Sequence, residues 1–122
     1  MAQSPDQEAP MSGAEFDAYT RGKTLTFVQD GVAYGAEQYY ENRQVVWAFR
    51  GDQCIDGAWY EPAPGLICFV YEAVEDGPQC WHFFKKSNGL RAIFDGTDEP
   101  TELYETNQSN EALFCPGPEI GV

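Results

Sequence analysis

Lys23-Thr24-Leu25-Thr26-Phe27-Val28-Gln29-Asp30-Gly31-Val32-Ala33-Tyr34-Gly35-Ala36 decides the fold class of this chain. Leu25 and Phe27 alternate with Thr24, Thr26 and Val28, the period of a strand that turns one face to a core. Asp30-Gly31 is among the strongest two-residue hairpin signals, because both residues tolerate the positive φ such a turn requires. A two-residue turn pairs Gln29 with Val32, Phe27 with Tyr34 and Leu25 with Ala36. The last two pairs then share one face, with Thr26 opposite Gly35 on the other.

The same period continues downstream. Gln44 to Arg50 places Val45, Trp47 and Phe49 on one side, and Gln53 to Glu61 follows with an internal Gly57 that suggests a bulge or bend. Pro62-Ala63-Pro64-Gly65 turns the chain. Leu66 to Glu72 is apolar on both faces, as a central strand is, and Glu75-Asp76-Gly77-Pro78 leads into Gln79 to Lys86. Asn88-Gly89 forms a second hairpin turn, which pairs Phe83 with Phe94 and Phe84 with Ile93. After the loop from Asp95 to Pro100, Thr101 to Thr106 reads as a short last strand. Seven or eight strands with turns every eight to twelve residues make a mainly β fold, an antiparallel meander that forms a small barrel or strongly curved sheet.

Upstream, Ser12-Gly13-Ala14-Glu15 has capping-box spacing and predicts one short N-terminal helix. Phe16 and Tyr19 share a face of it, and Gly22 is placed to end it in a left-handed conformation. So short a helix persists only when docked. Residues 1–11, polar and with two prolines, read as a flexible N-terminal segment, and residues 12–122 as a single disulfide-stabilised β domain. Met1-Ala2-Gln3-Ser4-Pro5 suits a mature N-terminus downstream of a removed leader, with Met1 added for expression.

Twenty acidic residues against seven basic ones give a formal net charge of −13 over 122 residues, which repels phosphate backbones and excludes nucleic acid as a partner. The same charge attracts a cationic protein, although acidic surfaces also keep exported proteins dissolved. No apolar run approaches the roughly 20 residues that span a bilayer. Rings make up 15 % of the residues, so the core is expected to be aromatic.

Cys54, Cys68, Cys80 and Cys115 form an even set without the short paired spacings of a zinc site, and read as two disulfides formed in an oxidising compartment. Each adds about 2–4 kcal/mol. Four cysteines allow three pairings. Cys68 with Cys80 across one hairpin, and Cys54 with Cys115 holding the tail, is favoured; an offset in the hairpin would instead bring Cys80 to the tail.

Three groups of residues carry candidate chemistry. His82, the sole histidine, faces solvent if Trp81 and Phe83 face the core, and no nucleophile accompanies it, so a surface role is the simpler reading. Asp95-Gly96-Thr97-Asp98-Glu99 offers oxygens at alternate positions but lacks a complete calcium loop, and Glu72 to Asp76 reads as a solvated turn. Neither a metal nor a cofactor is expected. Phe27, Tyr34, Trp47, Trp59, Phe69, Trp81 and Phe83 form a ring-rich stripe that either lines a ligand cavity at a barrel mouth or fills the barrel itself.

Gly35-Ala36-Glu37-Gln38-Tyr39, Arg43 to Phe49, Cys54 to Tyr60, Ile67 to Glu72 and Cys80-Trp81 together resemble a family of small exported proteins of unknown function from marine alphaproteobacteria of the Rhodobacterales type. The likeness covers about Ser12 to Phe94. It implies an exported, disulfide-bearing domain and brings no catalytic residues with it. Gly57-x-Trp59 is also similar to an element of lipocalin-like barrels, where it lies in the first strand rather than centrally as here.

The expectation is a periplasmic or secreted, monomeric binding module without catalytic activity. It takes a small apolar ligand in a barrel mouth or a protein partner on an acidic face. The alternatives are an inhibitor or immunity-type protein that captures a basic enzyme, and a hydrolase working through a carboxylate and His82.

Overall fold

The computed structural model describes residues 9–49, 53–72, 74, 75, 77–96, 101–113 and 115. After one helix, α1 (Gly13–Thr20), eight strands follow in chain order: β1 (Thr24–Gln29), β2 (Val32–Tyr39), β3 (Gln44–Phe49), β4 (Ile55–Ala63), β5 (Leu66–Tyr71), β6 (Gln79–Lys86), β7 (Gly89–Phe94) and β8 (Glu102–Ser109). Each pairs antiparallel with the next, and β8 returns to β1, so the meander closes into a barrel with no free edge.

The Asp30-Gly31 turn forms as its residues dictate, with φ of 51° and 79°, and Gln29 pairs with Val32. Beyond it the ladder departs from the simple alternation. Val28 pairs with Ala33 but Phe27 with Gly35, so Tyr34 is the extra residue of a bulge, and Leu25 faces Glu37 rather than Ala36. This one-residue slip inverts the faces of the rest of β2. Gly35, Glu37 and Tyr39 are buried, while Ala36 and Gln38 are only half-buried.

The second hairpin is also displaced. Its two turn residues are Ser87 and Asn88, Lys86 pairs with Gly89, and Phe83 therefore opposes Ala92 and Phe84 opposes Arg91. A displacement of two positions preserves the faces, so Phe83 still points inward with Ala92. Gly57 is in register on both sides and forms no bulge. β4 continues through Pro62 to Ala63, with an irregular register between Tyr60 and Ala63, and turns only at Pro64-Gly65.

α1 closes one end of the barrel. Ser12 Oγ accepts from Glu15 N–H and Glu15 Oε1 accepts from Ser12 N–H, completing the capping box. Glu61 Oε2 accepts from Gly13 N–H at 2.9 Å and Gly65 N–H at 2.8 Å, joining the helix start to the β4–β5 turn. A carboxylate at a helix N-terminus is favoured by the helix dipole, and these two backbone donors hold its pKa below the ordinary value. Phe16 is fully buried and meets Tyr39, Trp59 and Phe69 edge-on at 5.5, 5.1 and 6.3 Å, and Phe83 at 4.4 Å. Tyr19 completes the dock by donating to Glu105 Oε1, which also accepts from Leu90 N–H. Met11 is buried as well and donates its N–H to Phe83 O, so the chain is fastened to the barrel one residue before the helix cap. Residues 1–8 of the expected flexible segment lie outside the described residues.

Both disulfides have the favoured pairing. Cys68 stands directly opposite Cys80 across β5 and β6. Cys54 joins Cys115, after the C-terminal segment has crossed β1 and β2 with Glu111 O accepting from Thr24 Oγ1 and Leu113 N–H donating to Gln38 Oε1. Among the described residues no helix is long and apolar enough to cross a membrane.

Candidate functional site

The end of the barrel opposite α1 is formed by the β1–β2 turn, the β5–β6 connection and the start of β8. A cavity of about 40 Å³ runs inward from there, from Phe49, 46 % exposed, to the buried Phe69 and Phe83. Its walls are largely rings. Tyr34, Trp47 and Phe49 form a three-ring cluster with centroids 5.2 to 5.8 Å apart on the β2–β3 wall. Across from them stand Trp81 on β6 and the stacked pair Phe69 and Tyr71 on β5, centroids 6.2 Å apart. Space of this size holds about three waters, far less than the 300 Å³ or more of a drug-sized pocket.

Two glycines create the room these rings occupy. A Cβ on Gly35 would lie 2.6 Å from the Trp47 ring and from Ala48 O, and one on Gly57 would lie 2.5 Å from Tyr71 Cδ1 and Val70 O. The missing side chains let Trp47 and Tyr71 lean across their neighbouring strands.

At the inner end of the cavity sits Glu37, 4 % exposed. Its Oε1 accepts from Tyr39 Oη at 3.1 Å and its Oε2 from Tyr71 Oη at 2.5 Å. Burial pushes its pKa up to about 8, and the two phenol donors only partly offset that by favouring the ionised form. At neutral pH the group is therefore mostly a carboxylic acid. Tyr39 and Tyr71 are themselves held protonated well above the ordinary phenol range, by burial first and by the Glu37 carboxyl second. Among the described residues, Glu37 is the sole ionisable group in the lining besides the phenols Tyr34, Tyr39 and Tyr71, and none of the lining residues is Lys, Arg or His.

Of the ring-rich stripe, Phe27, Tyr34, Trp47, Phe69, Trp81 and Phe83 meet at this cavity. Trp59 does not. It is buried at the closed end, edge-on to Phe16 and covered by the Arg43 guanidinium 4.5 Å from its ring. The cavity adds Phe49, which alternation places on the same side as Trp47, and Glu37, Tyr39, Tyr71, Gln79, Ala92 and Leu103, which the alternation did not single out. Glu37 and Tyr39 escape it because the Tyr34 bulge inverts their faces; Gly35, a glycine inside a strand, is the one residue that signals such an irregularity.

His82 pairs with Ile93 on the outward side of β6 and does not line the cavity. Thr97 to Pro100 of the calcium-like acidic stretch, and Ala73 and Asp76 of the other, lie outside the described residues. Among the described residues no cluster of three or more metal-ligating side chains occurs. Comparison with protein-family models, with curated proteins and with solved structures gave no match.

Proposed function

We propose that this protein is a non-catalytic binding barrel that admits the end of one small molecule through its open mouth. The observation that carries this reading is the ring-walled cavity reaching from exposed Phe49 to a buried carboxyl. A core designed only to be filled would place an apolar side chain where Glu37 stands, because a buried polar group costs stability that only a function or a hydrogen-bond network offsets. The cavity offers hydrogen bonding at its floor and ring faces on its walls, with no nucleophile and base side by side. Two disulfides support a site of action in an oxidising compartment, periplasmic or extracellular.

Titration with small molecules whose polar head fits the cavity, followed by the fluorescence of Trp47 and Trp81, tests the proposal. One-to-one saturable binding is expected, and its loss in Ala92→Leu, which fills the cavity from β7. If no neutral or charged small molecule perturbs either tryptophan, the reading is wrong.

A further inference from the structure

The cavity holds an acid without a base. The cavity that holds Glu37 is walled by rings from five strands, β1, β2, β3, β5 and β6, and among the described residues no cationic side chain lines it. A buried carboxyl is ordinarily matched by a buried cation or withdrawn from the interior. Here the protein supplies the remaining parts of a cation site. Trp47, Trp81, Tyr34 and Tyr71 line the same cavity as the carboxyl, and an aromatic face presented to a positive charge attracts it by about 0.5–2 kcal/mol. Tyr39 and Tyr71 already donate to both carboxyl oxygens, an arrangement that favours the ionised acceptor. The net charge of −13 raises the local concentration of cations at the mouth and repels anions.

We propose that the ligand is a small organic cation, an alkyl- or arylalkylammonium, whose ammonium group enters the cavity and pairs with Glu37 while its apolar part rests against Tyr34, Phe49 and Trp81. This rests on the cavity being a binding site and adds the chemistry of its occupant. The 40 Å³ available matches a head group with one or two carbons. Pairing requires Glu37 to ionise, so the ammonium enters as the carboxyl proton leaves to solvent, with no other bond made or broken. The titratable groups that face Glu37 are Tyr34 and Tyr39 on its own strand and Tyr71 on β5, with Glu105 on β8 acting on Tyr39; Leu25 and Trp47, its neighbours on β1 and β3, carry no charge. All three phenols are pushed above their ordinary pKa, which leaves Glu37 as the group that titrates near neutrality.

The test compares n-butylammonium with 1-butanol and butyrate, by calorimetry and by Trp47 and Trp81 fluorescence. Butylammonium should bind at least roughly thirtyfold more tightly than butanol, as expected for a buried charge pair against a neutral partner. Its affinity should fall about twentyfold from pH 8.5 to pH 6.5, following the ionised fraction of a carboxyl whose pKa is about 8. Proton release should approach one per ligand about one unit below the carboxyl pKa of about 8 and vanish well above it. Glu37→Gln should remove both the preference and the pH dependence, and Tyr71→Phe, which takes away one donor to the carboxylate, should move the profile to higher pH. If butanol binds as tightly as butylammonium and Glu37→Gln alters neither, the cation assignment fails while the cavity remains a binding site. If none of the three probes binds, the site itself is refuted and this inference with it.

Discussion

Tyr71 leans over Gly57 to place its hydroxyl 2.5 Å from Glu37 Oε2. The two residues stand on strands three apart in the barrel order, so their hydrogen bond spans the interior and fixes the depth of the cavity. The carboxyl is buried and the phenol partly so, and each is the other's partner inside the barrel, so breaking their bond leaves both polar groups poorly satisfied.

The pH dependence of stability follows from that burial. Glu37 has a pKa of about 8 in the folded chain against 4.5 for the ordinary group. Between these values the folded protein holds a proton that the unfolded chain has lost, so stability falls as pH rises, by about 4–5 kcal/mol in all. The contribution is fully present below pH 4.5 and gone above pH 8. Glu37→Gln should abolish this slope while leaving the opposite acid-side effect of Glu61 and Glu102, whose pKa values are lowered. Urea unfolding of both proteins at pH 5 and pH 8 measures the difference; equal losses in the two would show that Glu37 ionises normally.

Gly57→Ala should disturb the same contact from the other side. The new Cβ meets Val70 O, a backbone atom that cannot swing away, and Tyr71 Cδ1, each at 2.5 Å. Overpacking of this kind costs about 1–3 kcal/mol. The displaced Tyr71 ring would take its hydroxyl from Glu37 and so raise the carboxyl pKa further, because that donor lowers it. Carboxyl infrared titration of the variant checks the direction, and an unshifted midpoint would mean that Tyr71 keeps its bond.

Phe16 offers a stability test independent of the cavity mouth. It is fully buried and touches four rings from four strands, and its helix is too short to hold itself. Phe16→Ala should cost about 3–5 kcal/mol, while Phe16→Leu should recover much of that. Thermal unfolding followed by near-ultraviolet circular dichroism of the surrounding rings distinguishes them. A loss under about 1 kcal/mol for the alanine variant would show that α1 does not close the barrel.

What was legible in the sequence was whatever depends on local chemistry. Asp30-Gly31 adopts its turn, Ser12 and Glu15 cap their helix, and the alternating rings Trp47 and Phe49 of β3 and Trp81 and Phe83 of β6 line the cavity as their spacing requires. Cys68 and Cys80 meet because one turn joins their strands. The candidate site was legible only in part. Its rings follow from period two, but its carboxyl depends on a single extra residue, Tyr34, in a ladder whose register is settled by long-range pairing with β3 and by closure through β8. Alternation read from the turn places Glu37 outside; the pairing of Leu25 with Glu37 and the close approach of Trp47 to Gly35 show that the strand has slipped. Trp59 stands at the closed end and was not legible there for a related reason, since period two gives the face of a residue but not its height in the barrel.

The two disulfides should contribute unequally. In the chain-entropy account, stabilisation grows with the length of chain closed in the unfolded state. Cys54 and Cys115 are 61 residues apart and Cys68 and Cys80 are 12 apart, which corresponds to about 4 and about 3 kcal/mol. The first also holds the segment that supplies Glu111 O to Thr24 and Leu113 N–H to Gln38, so its loss frees the outer faces of β1 and β2 as well. The second joins strands that the barrel already pairs in register, so its native contacts survive reduction. Replacing Cys54 and Cys115 together by serine should therefore lower the urea midpoint more than the same change at Cys68 and Cys80. It should also speed hydrogen exchange at Leu113, whereas the Cys68 and Cys80 pair leaves that amide protected. Equal midpoints, or faster exchange at Leu113 in both variants, would mean that the C-terminal segment is held by the barrel and not by its sulfur bridge.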